Sequence, residues 1–272
     1  MQEPHVTRNP DARCVLVVED SQVQSKIICK QIQALTDFPT LAAHSMEEVA
    51  ATLERHGPDI FIAVADLNLP DAPDGEAVDL LLEHGVTSMV LTATFNEQIR
   101  TSFIERRVAD FFFKGTIRDM DPMVLSLERI YKNRSVQVLV VDDSRTERSY
   151  MRHLLEIQHF QVLEAEHGAE ALEVLDAHPD VTMVITDYNM PVMDGFELIR
   201  TLRERHKKDK LAIIGVSAAG SGSLSARLLK NGANDFLTKP FEVEEFYWRA
   251  NQNIEMLEII QELTACYGDE DA

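Results

Sequence analysis

One set of motifs occurs twice in this chain, about 123 residues apart. Val15-Leu16-Val17-Val18-Glu19-Asp20-Ser21 returns as Val138-Leu139-Val140-Val141-Asp142-Asp143-Ser144, at an offset of 123. Asp66-Leu67-Asn68-Leu69-Pro70 returns as Asp187-Tyr188-Asn189-Met190-Pro191, at an offset of 121. Asp110-Phe111-Phe112-Phe113-Lys114 returns as Asp235-Phe236-Leu237-Thr238-Lys239, at an offset of 125. A period this long is far beyond a solenoid repeat and matches a whole domain. The sequence is therefore a tandem duplication, with modules expected at 12–134 and 135–264 and flexible termini at 1–11 and 265–272. The join near Asn133-Arg134-Ser135 holds no Gly/Ser-rich or Pro-rich stretch, which predicts a limited range of module orientations.

Composition narrows the functional classes. The 46 acidic residues outnumber the 26 Lys and Arg, for a net charge of −20. Nucleic-acid binding needs clustered cations, so it is disfavoured, as is an anionic membrane surface. The cysteines Cys14, Cys29 and Cys266 form no paired framework, and Met1–Ala12 has no apolar signal-peptide core. No apolar run nears the roughly 18 residues of a membrane span. A cytoplasmic location is the expectation.

Within each half, short β-branched-rich runs alternate with segments of helical period. The runs fall at 14–19, 38–43, 60–65, 86–92 and 109–113, and again at 137–142, 160–165, 181–186, 211–217 and 234–237. They lack clean alternation, which suits strands buried on both faces of a parallel sheet. Ser45-x-x-Glu48 reads as a capping box, and Gly85 and Gly232 stand where helices should stop. Five β-α units per half predict an α/β fold of two doubly wound domains.

In such sheets, functional groups collect at the carboxyl ends of the strands. Those ends carry Glu19 and Asp20, Asp66, Thr92 and Lys114 in the first half. In the second they carry Asp142 and Asp143, Asp187, Ser217 and Lys239. A lone Asp after a strand is usually just a helix cap. The recurrence of five chemical types at five strand ends argues otherwise. Two like charges about 4 Å apart repel by roughly 4 kcal/mol at an effective dielectric of 20, so three acids at one edge need a counter-charge. All-oxygen ligands suit Mg²⁺. The Lys adds a fixed positive charge and the Thr or Ser a hydroxyl. Around a carboxylate, this set suits in-line phosphoryl transfer, which depends on positioning and charge neutralisation. The acid ending strand 3 is the natural nucleophile, giving an aspartyl phosphate.

On these residues, both halves resemble receiver domains of two-component response regulators. The resemblance implies a flavodoxin-like strand order of 2-1-3-4-5 with helices on both faces. It implies that Asp66 and Asp187 accept phosphate from a histidine kinase or a histidine phosphotransfer protein. It implies Mg²⁺ on Glu19, Asp20 and Asp66, and on Asp142, Asp143 and Asp187, with the carbonyls of Asn68 and Asn189 as further ligands. Lys114 and Lys239 would pair with phosphoryl oxygens, Thr92 and Ser217 would move onto them, and Phe111 and Phe236 would follow inward as switch aromatics. Output would use the face of the fourth helix, fifth strand and fifth helix. Such a protein catalyses only its own phosphorylation and dephosphorylation.

The second half matches the family loop from Asp187 to Gly195 and the Lys239-Pro240 step. The first half departs in Glu19, in a loop from Asp66 to Gly75 that is one residue longer, and in Gly115 after Lys114. These departures weigh against efficient phosphorylation there. Tandem receivers ending in a helix like Asn253–Glu262 also resemble the input half of two-receiver diguanylate cyclases, but no GGDEF-type motif is present. A phosphate sink or relay is the other reading of the pair. A haloacid-dehalogenase-like hydrolase would want Asp-x-Asp on the first strand. Gly220-Ser221-Gly222-Ser223 lacks the P-loop ending, and Gly215–Ala219 lacks the last glycine of a nucleophile elbow. Phe111–Phe113 reads as mostly core, with only Phe111 a switch candidate. The last helix, with Ile259, Ile260 and Leu263 beyond the repeat, is expected to overhang and to serve an interdomain or homodimer contact.

Overall fold

The structure is a computed structural model of the 272-residue chain, and it describes residues 13–93, 101, 106–114, 120–218 and 227–268. The chain divides into two compact units, Met1–Arg129 and Ile130–Ala272. Each unit carries one five-stranded sheet, and every strand pairing in both is parallel.

The first sheet comprises β1 (Cys14–Val18), β2 (Thr40–Ala43), β3 (Ile60–Asp66), β4 (Thr87–Thr92) and β5 (Asp110–Phe113), in the order β2-β1-β3-β4-β5. All seven residues of β3 are buried, as a central strand covered on both faces requires. Alternation sorts the side chains: Leu16, Val18, Ala63, Ala65 and Val90 join one core cluster with helices α2 (Met46–His56) and α3 (Glu76–Glu83). Val15, Val17, Ile62, Val64 and Met89 point the other way and are equally buried. Helix α1 (Gln22–Leu35) buries Ile28 and Ile32, and α4 (Asp121–Asn133) carries the fully buried Met123, Val124, Leu127 and Ile130.

The second sheet repeats this plan with β6 (Gln137–Val141), β7 (Gln161–Ala165), β8 (Val181–Asp187), β9 (Ala212–Ser217) and β10 (Asp235–Thr238), ordered β7-β6-β8-β9-β10. Its described helices are α5 (Arg145–Ile157), α6 (Gly168–Ala177), α7 (Gly195–Arg205) and α8 (Val243–Gly268). Leu139, Val141, Val184 and Ile213 pack with Leu198, Ile199 and Leu202 of α7. Both sheets thus realise the 2-1-3-4-5 order, and each observed strand begins and ends within two residues of the sequence reading.

Local signals explain the boundaries. The hydroxyls of Ser21 and Ser144 accept the N–H groups of Gln24 and Glu147 and start α1 and α5 immediately after the acidic pairs. Ser45 caps α2 by accepting from Glu48 N–H at 3.2 Å. The Glu48 carboxylate returns to His44 N–H at 2.7 Å, one residue ahead of the capping-box position. Gly232 holds φ at +112°, where a Cβ would lie 2.5 Å from Arg203 Cγ. The Arg203 guanidinium threads that turn, donating to the carbonyls of Gly232 (2.7 Å) and Leu211 (2.9 Å) and to Asn234 Oδ1 (2.7 Å). Burial lowers its pKa to about 10.

Three expectations are refined. Phe113 is 48% exposed at the end of an edge strand, so the Phe111–Phe113 run is not all core; Phe111 is the member packed against the core cluster. The last helix continues to Gly268, into the stretch expected to be flexible, and residues 261–266 are exposed on every side. The unit boundary falls inside α4, so Asn133 lies in the second unit, where it donates to Gln158 O (3.0 Å) and Asn251 Oδ1 (2.8 Å). Met1–Ala12, Gly115, Gly220–Ser223 and the 269–272 tail lie outside the described residues, as does much of the fourth-helix segment of each module.

Among the described glycines of the second unit, Gly195 is the most closely approached. A Cβ there would come 2.2 Å from the carbonyl oxygen of Asp187. Gly195→Ala should therefore destabilise this unit by roughly 1–3 kcal/mol through forced backbone movement. Urea unfolding measures it, and an unchanged midpoint would contradict the packing described.

Candidate functional site

Each sheet brings its strand-end residues to one edge. In both orders the first strand lies beside the third, and the chain reverses direction across the sheet at that point. The carboxyl ends of β1 and β3 therefore place Glu19 near Asp66, and those of β6 and β8 place Asp142 near Asp187. The lysine arrives from the edge strand. Lys114 N–H donates to Thr92 O at 2.8 Å, and Lys239 N–H to Ser217 O at 2.9 Å. This pairing continues the β4–β5 and β9–β10 ladders and sets lysine and hydroxyl residue side by side. Thr92 and Ser217 are both fully buried.

In the first unit, Lys114 Nζ lies 2.7 Å from Glu19 Oε2 and 2.5 Å from Asp66 Oδ2. Asp66 Oδ1 accepts Asn68 N–H at 3.1 Å. Glu19 and Asp66 are buried and Asp20 is exposed. In the second unit, Lys239 Nζ lies 2.6 Å from Asp142 Oδ2 and 2.8 Å from Asp187 Oδ1. Asp142 Oδ1 accepts Ser144 N–H (2.9 Å) and Asp187 Oδ2 accepts Asn189 N–H (2.7 Å). Lys239-Pro240 is a cis peptide. Asn68 and Asn189 are exposed and meet the aspartates through their backbone N–H groups. Phe111 and Phe236 are half-buried against the core clusters.

The electrostatics follow from burial and pairing. Burial pushes the Glu19 carboxyl above its usual range; Lys114 opposes this and Asp66 reinforces it. Burial does the same to Asp187, opposed by Lys239 and Asn189 N–H and reinforced by Asp142. Burial alone would lower the two lysines, but the carboxylates outweigh it and hold both above the ordinary range. Each site is an ammonium bridging two acids, joined in the first unit by the Asp20 carboxylate.

The residues fit a hard divalent cation in chemistry, since every side-chain donor is a carboxylate oxygen. In the first unit, ligand oxygens of Glu19, Asp20 and Asp66 all lie within 4.8 Å of one another, the one such group among the described residues. In the second unit Asp142 and Asp187 are joined through Lys239, while Asp143 is exposed. The fuller convergence thus occurs in the half whose motif departs more from the family pattern.

Two residues that sequence reasoning missed hold the first acid of each site from behind. Arg148 is buried and donates from Nη1 to Asp142 O at 2.6 Å. His44 Nδ1 lies 2.8 Å from Glu19 O. A signal existed for Arg148: it occupies the buried stripe of α5, with Met151 and Leu155, where an apolar residue is the rule.

A twofold-repeated α/β module with an acid–lysine–hydroxyl cluster at its switch point defines the receiver class. Residues 138–251 match the family model of the response regulator receiver domain. A chemotaxis protein CheY homolog of Campylobacter jejuni is 42% identical over 107 residues, covering 39% of this chain and 82% of the relative. Chemotaxis protein CheY1 of Helicobacter pylori is 40% identical over 107 residues, covering 86% of that relative. A crystal structure of a two-component system response regulator/GGDEF domain protein superposes with a TM-score of 0.81 at 42% identity. It covers 90% of this chain and 99% of its own. The chain belongs to the response regulator receiver family. Its architecture is two such modules in tandem. No described helix is long and apolar enough to cross a membrane.

Lys239 is 14% exposed and its partner Asp142 is buried, so removing the ammonium strands two acids. Lys239→Met should destabilise the second unit by about 3 kcal/mol at neutral pH in metal-free buffer. The sign with pH follows from Asp187: with its pKa raised in the folded state, stability falls as pH rises from the ordinary carboxylate range through the raised value. The variant should therefore lose less at acidic than at neutral pH. Denaturant unfolding across that range tests this, and a pH-independent loss would contradict it.

Proposed function

We propose that each module is a phosphoryl acceptor, with Asp66 and Asp187 as the nucleophiles and a histidine kinase or histidine phosphotransfer protein as donor. The observation that carries the reading is the recurrence of the same acid–lysine–hydroxyl cluster at the same strand ends of two sheets. An aspartate oxygen forms the bond to phosphorus as the phosphorus–nitrogen bond to the donor imidazole breaks. Lys114 and Lys239, already paired to the nucleophile, offset the negative charge that the incoming group brings. The buried hydroxyls of Thr92 and Ser217 stand one strand away as hydrogen-bond donors to it. Phe111 and Phe236, partly buried against the core clusters, are the aromatics that would follow the hydroxyls inward.

Glu19, Asp20 and Asp66, and Asp142, Asp143 and Asp187, would hold Mg²⁺, with the carbonyls of Asn68 and Asn189 as further ligands. When bound, the cation supplies charge neutralisation to the acids and the transferred group. Catalysis beyond the protein's own phosphorylation and dephosphorylation is not part of this reading. Output passes by protein contact, through the face of the fourth helix, fifth strand and fifth helix, or through α8.

A second reading is favoured by the neighbour of TM-score 0.81, whose description includes a GGDEF domain. Here the two modules are the input portion of a larger effector.

Incubation with acetyl phosphate and Mg²⁺, read by intact mass spectrometry, tests the acceptor reading. Wild-type chain should gain up to two phosphoryl groups, and Asp66→Ala and Asp187→Ala one each. Chelating the metal should slow uptake on the order of a hundredfold or more. Undiminished uptake by the double variant would reject both assignments.

A further inference from the structure

The two units hold the carbonyl of their first acid by different side chains drawn from different positions. In the second unit Arg148, the fourth residue of α5, sends Nη1 to Asp142 O at 2.6 Å. Its Nη2 meets Glu166 Oε1 at 3.2 Å and its Nε meets Glu164 Oε1 at 3.3 Å. One buried guanidinium thus ties the end of β6 to β7 and to the residue after it. In the first unit the fourth residue of α1 is Ser25, which is buried and cannot span that distance. The strand pairings Val18↔Ala43 and Val141↔Ala165 make His44 the counterpart of Glu166. There His44 Nδ1 lies 2.8 Å from Glu19 O. A carbonyl only accepts, so Nδ1 carries the proton. Ser25 with His44 and Arg148 with Glu166 are two solutions to one requirement.

The requirement is orientation. The carbonyls of Glu19 and Asp142 belong to the peptide planes joining them to Asp20 and Asp143. Fixing such a plane fixes the direction in which both neighbouring carboxylates leave the backbone. The exposed Asp20 and Asp143 have few contacts of their own to hold them, so this plane is the main control on their aim. The charge of Arg148 is already matched by Glu164 and Glu166, so its contribution to the cluster lies in geometry more than in net charge.

We infer that Arg148 and His44 are the positioning residues of the two acidic dyads, each setting the divalent-cation affinity of its own module alone. This rests on the reading of the dyads as cation ligands given above.

Calorimetric titration of the full chain with Mg²⁺ tests it in two backgrounds. Asp66→Ala disables the first site and leaves the second; Asp187→Ala does the reverse. Adding Arg148→Ala should weaken binding about tenfold in the Asp66→Ala chain and leave the Asp187→Ala chain unchanged. His44→Ala should give the opposite pattern. The Mg²⁺ concentration for half-maximal phosphorylation by acetyl phosphate should rise by the same factor, with the rate at saturating Mg²⁺ retained. If Arg148→Ala fails to fold, Glu166→Gln, which frees the far side of the same guanidinium, should shift the second site in the same direction. Unchanged affinity, or equal weakening of both sites by one substitution, would overturn the inference. Absence of Mg²⁺ binding to either parent chain would instead sink the reading on which it rests.

Discussion

The structure turns on a lysine ammonium held between two carboxylates that come from different strands. Each of the three groups is costly at its place: the acids are buried and repel one another, and the lysine is nearly buried. Together they are tolerable only if β1 and β3, or β6 and β8, are neighbours and the lysine strand ends level with them. The 2-1-3-4-5 order meets this condition, because its reversal point leaves a crevice at the carboxyl ends of the first and third strands. The ion cluster at the sheet edge thus constrains register and strand order through the interior.

A buried ion pair is weak evidence for stability, since apolar residues of the same volume often stabilise more. Asp187 and Glu19 carry the mark of that cost in their raised pKa values. That two sheets keep such a cluster at matching positions is therefore better explained by chemistry than by folding. The apolar layers beneath, from Leu16 and Val64 to Leu139 and Ile185, are already sufficient to explain the sheets.

The strands were legible because parallel strands covered on both faces appear as continuous apolar runs, and the cluster was legible because its members end those runs. Duplication helped, since the second copy showed which positions of the first were not accidental. What escaped notice acts through the backbone. His44 and Arg148 work on carbonyl oxygens, which have no sequence identity, and they do so from different positions in the two halves, so repeat alignment hides them. The grouping of Glu19, Asp20 and Asp66 was legible from their strand ends, whereas the looser arrangement around Asp143 depends on side-chain aim, which motif spacing does not encode. The exposure of Phe113 reflects its place at the end of an edge strand, whereas composition alone made it look like core.

The net charge of −20 adds a longer-range term. A strongly acidic surface raises the local concentration of divalent cations and lowers that of anionic phosphodonors, an effect screened beyond about 8 Å at physiological ionic strength. At the site itself each lysine offsets part of that charge, because it stands inside the acid cluster. On the proposed reading, a phosphoryl group is delivered through a field that resists it to a lysine that offsets its charge. Small anions meet that resistance unaided, whereas a protein donor can offset it with complementary short-range contacts around the crevice. On that reading, selectivity for the donor resides in the surface surrounding the cluster, and the acid–lysine pairing present in both modules supplies the chemistry common to each.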